Sequence, residues 1–445
     1  MINFTKKIII YWKSRGTRLF IKKVLQKLSL QLSSRKKRIS QEVDCNEVDC
    51  NVEVVTARTY LDKWYFIARP MVTYRQSEAG ISRVNIVTDS VRAGSLFGGV
   101  GTALLFGVCL SNRLGANLRI ITRTEEPDEL RVNSFLKLYN LFPEKELQFK
   151  FEPCDDGGNG VDFSENDLFV TTSWWTTAST LPSVPAGQII YLLQEDERMF
   201  YPVGDDWIRA HRMMSDDQIH IVVNTELLFE YLVSNGFYNI SERGVWFEPA
   251  FPSEIYSRGG PKDAGEPKRL FFYARPNNPR NLFRLGLEVI DRALMKRVID
   301  PDRWEIVFVG SDIPDVELFG GVRPVCYKSL SWHEYAQLLG SVDVGVSLMS
   351  TPHPSYPPLD LAASGSIVVT NKFKSKRELY KYSENIICSD LDVDSLVSAI
   401  DFAVRLSEDI EVRNQNYINS GLKRDWGSSF AKVIDHLVGV ALDHH

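Results

Sequence analysis

No apolar run in this sequence approaches the roughly 20 residues that cross a bilayer as a helix, and the Ile8-Ile9-Ile10-Tyr11-Trp12 segment is too short for a secretion signal. A chain that neither spans a membrane nor is exported is therefore expected, placed in the cytoplasm. Cysteine is scarce: Cys45, Cys50, Cys109, Cys154, Cys326 and Cys388 are scattered, and the near-duplicated VDCNEVDC stretch fits neither a zinc finger nor a redox motif. Reduced thiols are expected. A strong excess of either charge is also missing, because 52 Lys and Arg face 57 Asp and Glu for a net charge of -5. Such a chain is a poor polyanion binder as a whole, so no nucleic-acid partner is expected. Acids are absent from the first 40 residues, where Lys6, Lys7, Lys13, Arg15, Arg18, Lys22, Lys23, Lys27 and Arg35 to Arg38 alternate with Trp12, Leu19, Phe20, Ile21, Val24 and Leu25. That pattern suits a helix lying on an anionic lipid surface, the inner face of the cell membrane. A solvated basic tail is the plainer alternative.

A length of 445 residues exceeds one ordinary core and suits two α/β domains with a cleft between them. Short apolar runs alternate with helical stretches, the pattern of parallel sheets covered by helices. Strands are expected at Asn85-Thr88, Leu118-Thr122, Leu168-Thr171, Ile189-Leu193 and Ile219-Val223, then at Leu270-Tyr273, Trp304-Val309, Val342-Ser347, Ile367-Val369 and Ile386-Cys388. The Pro- and Gly-rich stretch from Pro249 to Pro267 separates the two series. The expected divisions are a basic extension and linker over 1–52, an acceptor domain over 53–255, a donor domain over 256–425 and a closing helix over 426–445. Ligands should lie where the carboxyl ends of the two sets of strands face one another.

Chemistry is densest at the start of the second domain, where strand LFFYA runs into Arg275, PNNP, Arg280 and Asn281 and then a helical stretch. Guanidinium groups stay charged when partly desolvated and match phosphate oxygens with a fixed fork of donors, so this pair suits a diphosphate. Two surface arginines paired with nearby acids are the alternative. A second constellation, VDVGVSLMSTPHPSYPPLDLAASGSIVVT, places His353, Ser355 and Tyr356 before Pro357-Pro358. Prolines tolerate a first helical turn, leaving the amides of Leu359 and Asp360 to meet an anion. In the first domain, Trp174 and Trp175 follow a strand in SWWT, and Glu195-Asp196-Glu197 follow another. The tryptophans read as a sugar platform or as core filler. The acids read as acceptor-hydroxyl partners, metal ligands or a solvated cluster, with acceptor binding favoured.

These residues resemble the donor domain of retaining family-four glycosyltransferases of the GT-B fold. The family's paired cations after the first donor-domain strand match Arg275 and Arg280. Its glutamate, glycine and Val-Val strand match Asp360, Gly365 and Val368-Val369. Its first glutamate falls on Pro352, which passes the sugar-contacting role to His353 or Ser355. Gly98-Gly99 resembles the family's glycine loop beside the donor phosphates, and Trp426 its aromatic before a closing helix. Within this group SWWT, QEDERMFYP and YARPNNPRNLF look most like the S-layer glycan rhamnosyltransferases typified by WsaF. That resemblance implies two Rossmann-like domains, dTDP-β-L-rhamnose as donor, a lipid-linked glycan acceptor and neither metal nor other cofactor. Arg275 and Arg280 would stabilise the leaving diphosphate. Gly98, Gly99, His353, Ser355, Tyr356, Leu359 and Asp360 would bind the donor, and Ser173, Trp174, Trp175, Glu195 and Glu197 the acceptor. Asp196 would be the base if the reaction inverted. A different nucleotide sugar, a sugar-nucleotide epimerase and a two-domain binding protein are the rival readings.

Overall fold

The computed structural model describes residues 55–442, apart from 77–81, 93–95, 97, 156 and 261–264. The basic stretch and linker of residues 1–52 lie outside the described residues.

Strand β1 (Thr73–Arg75) pairs with β5 (Val161–Phe163) in a small ribbon. The first large sheet is built from β2 (Arg83–Thr88), β3 (Asn117–Thr122), β4 (Leu147–Phe151), β6 (Leu168–Thr171), β7 (Ile189–Leu193), β8 (His220–Asn224) and β9 (Val245–Phe247). Its order is β4-β3-β2-β6-β7-β8-β9 and every pairing is parallel. The second holds β10 (Lys268–Tyr273), β11 (Trp304–Val309), β12 (Val325–Tyr327), β13 (Val344–Val346), β14 (Ile367–Asn371) and β15 (Ile386–Ser389). It runs β12-β11-β10-β13-β14-β15, again all parallel. The molecule is thus an α/β protein of two doubly wound domains, and all ten expected strands are present.

The strands that the sequence did not signal are β1, β4, β5, β9 and β12. Four of them are only three residues long. In the large sheets, β4, β9 and β12 are edge strands and mostly half-buried. A central parallel strand is covered on both faces and reads as a continuous apolar run, as in the wholly buried β7, whereas an edge strand need not.

The chain passes between the domains twice. At the first passage Phe251 N–H donates to Lys423 O at 2.8 Å, pairing the outgoing segment with the returning one. Arg424 then donates through Nη1 to the carbonyls of Phe251 (3.1 Å), Tyr256 (3.3 Å) and Ala363 (3.1 Å). One guanidinium therefore ties both passages to the second-domain helix Tyr356–Ala363. After it the chain enters helix Trp426–Leu442, which packs into the core of the first domain. Phe430 is fully buried there, 5.3 Å from Phe106 and 4.8 Å from Phe247 between ring centroids. Phe430→Ala should cost about 3–5 kcal/mol, the usual scale for emptying a buried aromatic site. Calorimetry should show a lowered melting transition for the first domain.

Candidate active site

In each sheet the strand order reverses direction between the first and fourth Rossmann strands, at β2/β6 and at β10/β13. Loops leaving the carboxyl ends of neighbouring strands diverge at such a point and leave a crevice. The two crevices face one another across a cleft of about 1050 Å3. Its first-domain wall carries Asp89, Gly98, Gly99, Ser173, Trp175 and Glu197; its second carries Arg275, Arg280, His353, Ser355 and Asp360. Two glycines open the space. Gly98 has φ of +104° at the start of helix Gly99–Leu114, a left-handed conformation that side chains rarely adopt. At Gly310, after β11, a Cβ would stand 1.9 Å from Ala274 O, so only glycine lets this loop approach the one carrying Arg275.

Arg275 is exposed at the cleft and makes no ion pair among the described residues. Arg280 is engaged: its Nη1 donates to Glu195 Oε2 at 2.7 Å and its guanidinium lies 4.6 Å from the Phe200 ring centroid. The His353 imidazole is buried and accepts the Ser355 N–H through Nδ1 at 2.8 Å. The neutral ring then carries its proton on Nε2, which is buried without a hydrogen-bond partner among the described residues. Burial, with Lys376 and Arg280 opposing a further positive charge, pulls this imidazole down to about 3. His353 is thus a fixed neutral hydrogen-bond donor in the second-domain half of the cleft. Ser355 keeps its place on the wall, with its hydroxyl turned to Met349 Sδ at 3.2 Å.

Asp360 lies among tyrosines. Tyr335 OH donates to Oδ2 at 3.2 Å, and Tyr256 adds a second hydrogen bond. The other oxygen, Oδ1, has no partner among the described residues. Burial pushes this carboxyl up to about 7 against those two hydrogen bonds.

The first-domain wall holds two carboxyls of different character. Glu197 is buried, accepts the Trp174 backbone N–H at 2.6 Å and is pushed up to about 8, chiefly by burial. Asp89, at the end of β2, accepts the Trp175 Nε1–H at 2.8 and 2.9 Å through its two oxygens. Burial raises it to about 6, opposed by that N–H and by Arg123. Asp89 was not expected from sequence. A single aspartate after a strand carries no spacing signal, and only the fold places it against Trp175. Lys328 is a second unexpected residue, on the second-domain wall.

Several expected roles are corrected. Asp196 is 1% exposed, absent from the cleft wall and held by Arg198 through two bonds of 2.8 Å, so it cannot reach an acceptor as a base. Trp174 belongs to the core, its Nε1 donating to Tyr201 at 3.0 Å; only Trp175 faces the cleft. The Ser173 hydroxyl caps helix Trp174–Thr180. Helix Tyr356–Ala363 begins before its prolines, so the amide of Asp360 falls within the helical ladder and the Leu359 side chain enters the core. The expected pair of free amides is not formed. Tyr356 binds across the cleft: its hydroxyl lies 2.6 Å from Thr102 Oγ1 and accepts from Asn224 Nδ2 at 3.0 Å, making it a tether between domains. Glu195, expected on the acceptor, likewise bridges to the second domain. No group of three His, Cys, Asp or Glu side chains is arranged to hold a metal ion among the described residues.

Paired Rossmann-like domains with cations on one wall of the cleft and an indole with carboxyls on the other define a glycosyltransferase of the GT-B type. The chain belongs to the WsaF family: "WsaF, N-terminal domain" matches residues 83–226 and "WsaF, C-terminal domain" residues 268–401. It is 33% identical over 226 residues to the O-antigen biosynthesis protein RfbC of Myxococcus xanthus. That match spans 50% of this chain and 17% of the relative. Among solved structures, Anabaena HepE in complex with UDP and glucose aligns with a TM-score of 0.55 at 12% identity, over 80% of this chain and 99% of that one. A trehalose 6-phosphate synthase from Burkholderia multivorans aligns with a TM-score of 0.55 at 11% identity, over 82% and 100%. At such identities the likeness is one of fold.

Glu197 supplies a pH test. Its folded value of about 8 lies above the 4.5 of a free glutamate, so the folded chain holds this proton more tightly than the unfolded one. Its contribution to stability is complete below about 4.5, declines as pH rises and is lost beyond about 8. Glu197→Gln, which cannot ionise, should flatten the fall in melting temperature between pH 5 and 8; an unchanged slope would assign that fall to other groups.

Proposed function

We propose that the chain transfers L-rhamnose from dTDP-β-L-rhamnose to a lipid-linked glycan acceptor in the assembly of a bacterial surface polysaccharide, with retention and without a metal. Membership of the WsaF family supports the choice of sugar, and the similarity to an O-antigen biosynthesis protein supports the pathway class. The observation that carries the nucleotide is the state of Asp360. One of its oxygens is taken by Tyr335 and the other has no partner among the described residues, which leaves one oxygen for a sugar hydroxyl. Deoxyribose has only its 3′-hydroxyl to fill that place.

Breaking the sugar–phosphate bond leaves negative charge on the diphosphate, so catalysis rests on donors already in position around it. Arg275 and Arg280 are the charged donors and the Nε2–H of His353 a neutral one. Trp175 offers an indole face to the acceptor sugar, and Asp89 beside it accepts a hydroxyl. In a retaining transfer the departing phosphate oxygen takes the acceptor's proton, so no strong protein base is required. The basic stretch of residues 1–40 would hold the enzyme on the cytoplasmic face of the membrane, where a lipid-linked acceptor presents its glycan.

Arg275→Ala and Arg280→Ala should each lower turnover by about a hundredfold or more, the scale for losing a preorganised transition-state donor. Full turnover in both would remove the donor site from these loops. Calorimetry above about pH 8, where a carboxyl titrating at about 7 is ionised, should show dTDP binding more tightly than UDP or GDP, and Asp360→Asn weakening dTDP by about ten- to a hundredfold, the worth of a charge-assisted hydrogen bond. A preference for UDP or GDP would replace the donor and leave the fold class standing. Excess chelator should leave activity intact, because arginines supply the positive charge. Loss restored by magnesium or manganese would refute that point.

A further inference from the structure

Among the described residues, Glu195 is the one acidic side chain of the cleft whose carboxylate is held from the opposite domain. It follows β7 of the first domain, yet Oε2 accepts from Arg280 Nη1 at 2.7 Å and Oε1 from Thr351 Oγ1 at 2.6 Å, both in the second. Its own neighbour, the Asp196 backbone N–H, also donates to Oε1 at 3.0 Å. The pair is well covered, with side-chain exposures of 18% for Arg280 and 11% for Glu195. The Phe200 ring under the guanidinium fixes its plane from the same first-domain segment. The cation assigned to the donor's diphosphate is therefore already in contact with an anion, alongside a hydroxyl donor suited to a second anionic oxygen.

We propose that Glu195 is a placeholder for the donor diphosphate: it occupies Arg280 and Thr351 while the cleft is empty, is displaced when the nucleotide sugar binds, and only then becomes available to the acceptor. This rests on the assignment of Arg280 to the donor. The exchange follows from charge and reach. A carboxylate brings one negative charge to Arg280 alone, whereas a diphosphate brings at least two and meets the exposed Arg275 as well as Arg280. The displaced carboxylate keeps a cation nearby in Lys376, whose buried Nζ has no hydrogen-bond partner among the described residues and whose charge interacts with Glu195. Its peptide position beside Glu197 keeps it on the acceptor side of the cleft. Donor then binds before acceptor. After transfer, the return of Glu195 to Arg280 competes with the leftover nucleoside diphosphate and helps expel it.

Calorimetry on the full chain tests this, using as probe whichever of dTDP, UDP and GDP binds the wild type most tightly. Glu195→Gln keeps the side chain's size and removes the competing charge, so it should bind the probe about tenfold more tightly or better, the scale of one charged hydrogen bond. Arg280→Gln should weaken binding by a similar factor. The gain from Glu195→Gln should vanish in the double variant, since the two residues act on one event. A merely structural Glu195 would instead give weaker binding with a lowered melting temperature, and that result, or unchanged affinity, overturns the proposal. Should Glu195→Gln fail to fold, Glu195→Asp, one methylene shorter, draws the carboxylate away from Arg280 and Thr351 while leaving both donors to the probe, and should tighten it several-fold; no gain there also overturns it. Failure of Arg280→Gln to weaken the probe, or of all three nucleotides to bind, would remove the donor assignment itself and the placeholder with it, a result distinct from loss of the Glu195 effect alone.

Discussion

Both large sheets are wholly parallel, and that constraint organises the rest of the molecule. A parallel pair needs a crossover connection, usually a helix, so both faces of each sheet become covered and the amino edges fill with returning chain. The carboxyl edges alone stay open for loops of varied chemistry. Strand order then reverses at β2/β6 and β10/β13, and the loops diverge there. Asp89, the glycine loop and Trp175 leave the first switch point; Arg275, Arg280 and the segment through His353 leave the second. No single loop holds the site, and its two halves come from strands that are far apart in the chain.

The second organising fact is the cost of burying charge. The cleft walls hold Glu197, Asp360 and His353 in surroundings that disfavour ionisation, and each answers by approaching neutrality. Asp196 and Glu195 follow a different rule. Each is held by a guanidinium at 2.7 or 2.8 Å. The same acidic run therefore contains a carboxyl neutralised by burial, one bound within its own domain and one bound across the cleft. Sequence adjacency says nothing about which is which, because successive residues after a strand turn to different sides.

Several groups that couple the domains do more than one thing. Arg424 ties both chain passages to the helix that carries Asp360. Tyr356, one turn before Asp360, is tethered to Thr102 in the helix that follows the glycine loop. The closing helix Trp426–Leu442 shares its aromatic core with that same helix. Movement of either domain would therefore be felt at both walls of the site.

Sequence alone determined the fold class, the two sets of strands and the loops that would carry chemistry, because buried parallel strands leave continuous apolar runs and because arginine, proline and glycine mark loops in a readable way. It also marked Arg275, Arg280, His353, Asp360 and Trp175, all of which line the cleft. The GT-B assignment in the sequence came from resemblance rather than from those patterns. Tertiary structure alone decided direction and partner. Trp174 and Trp175 are indistinguishable in a string, yet their side chains leave one short helix in different directions, one into the core and one into the cleft. Asp360 differs from any other buried aspartate only through the tyrosines that two separate segments bring to it. Asp89 had no signal, since its environment is made by Trp175, 86 residues away. Apolar patterning is a property of neighbours along the chain and survives in one dimension; hydrogen-bond partners and desolvation are properties of neighbours in space, which exist only once the sheets have formed.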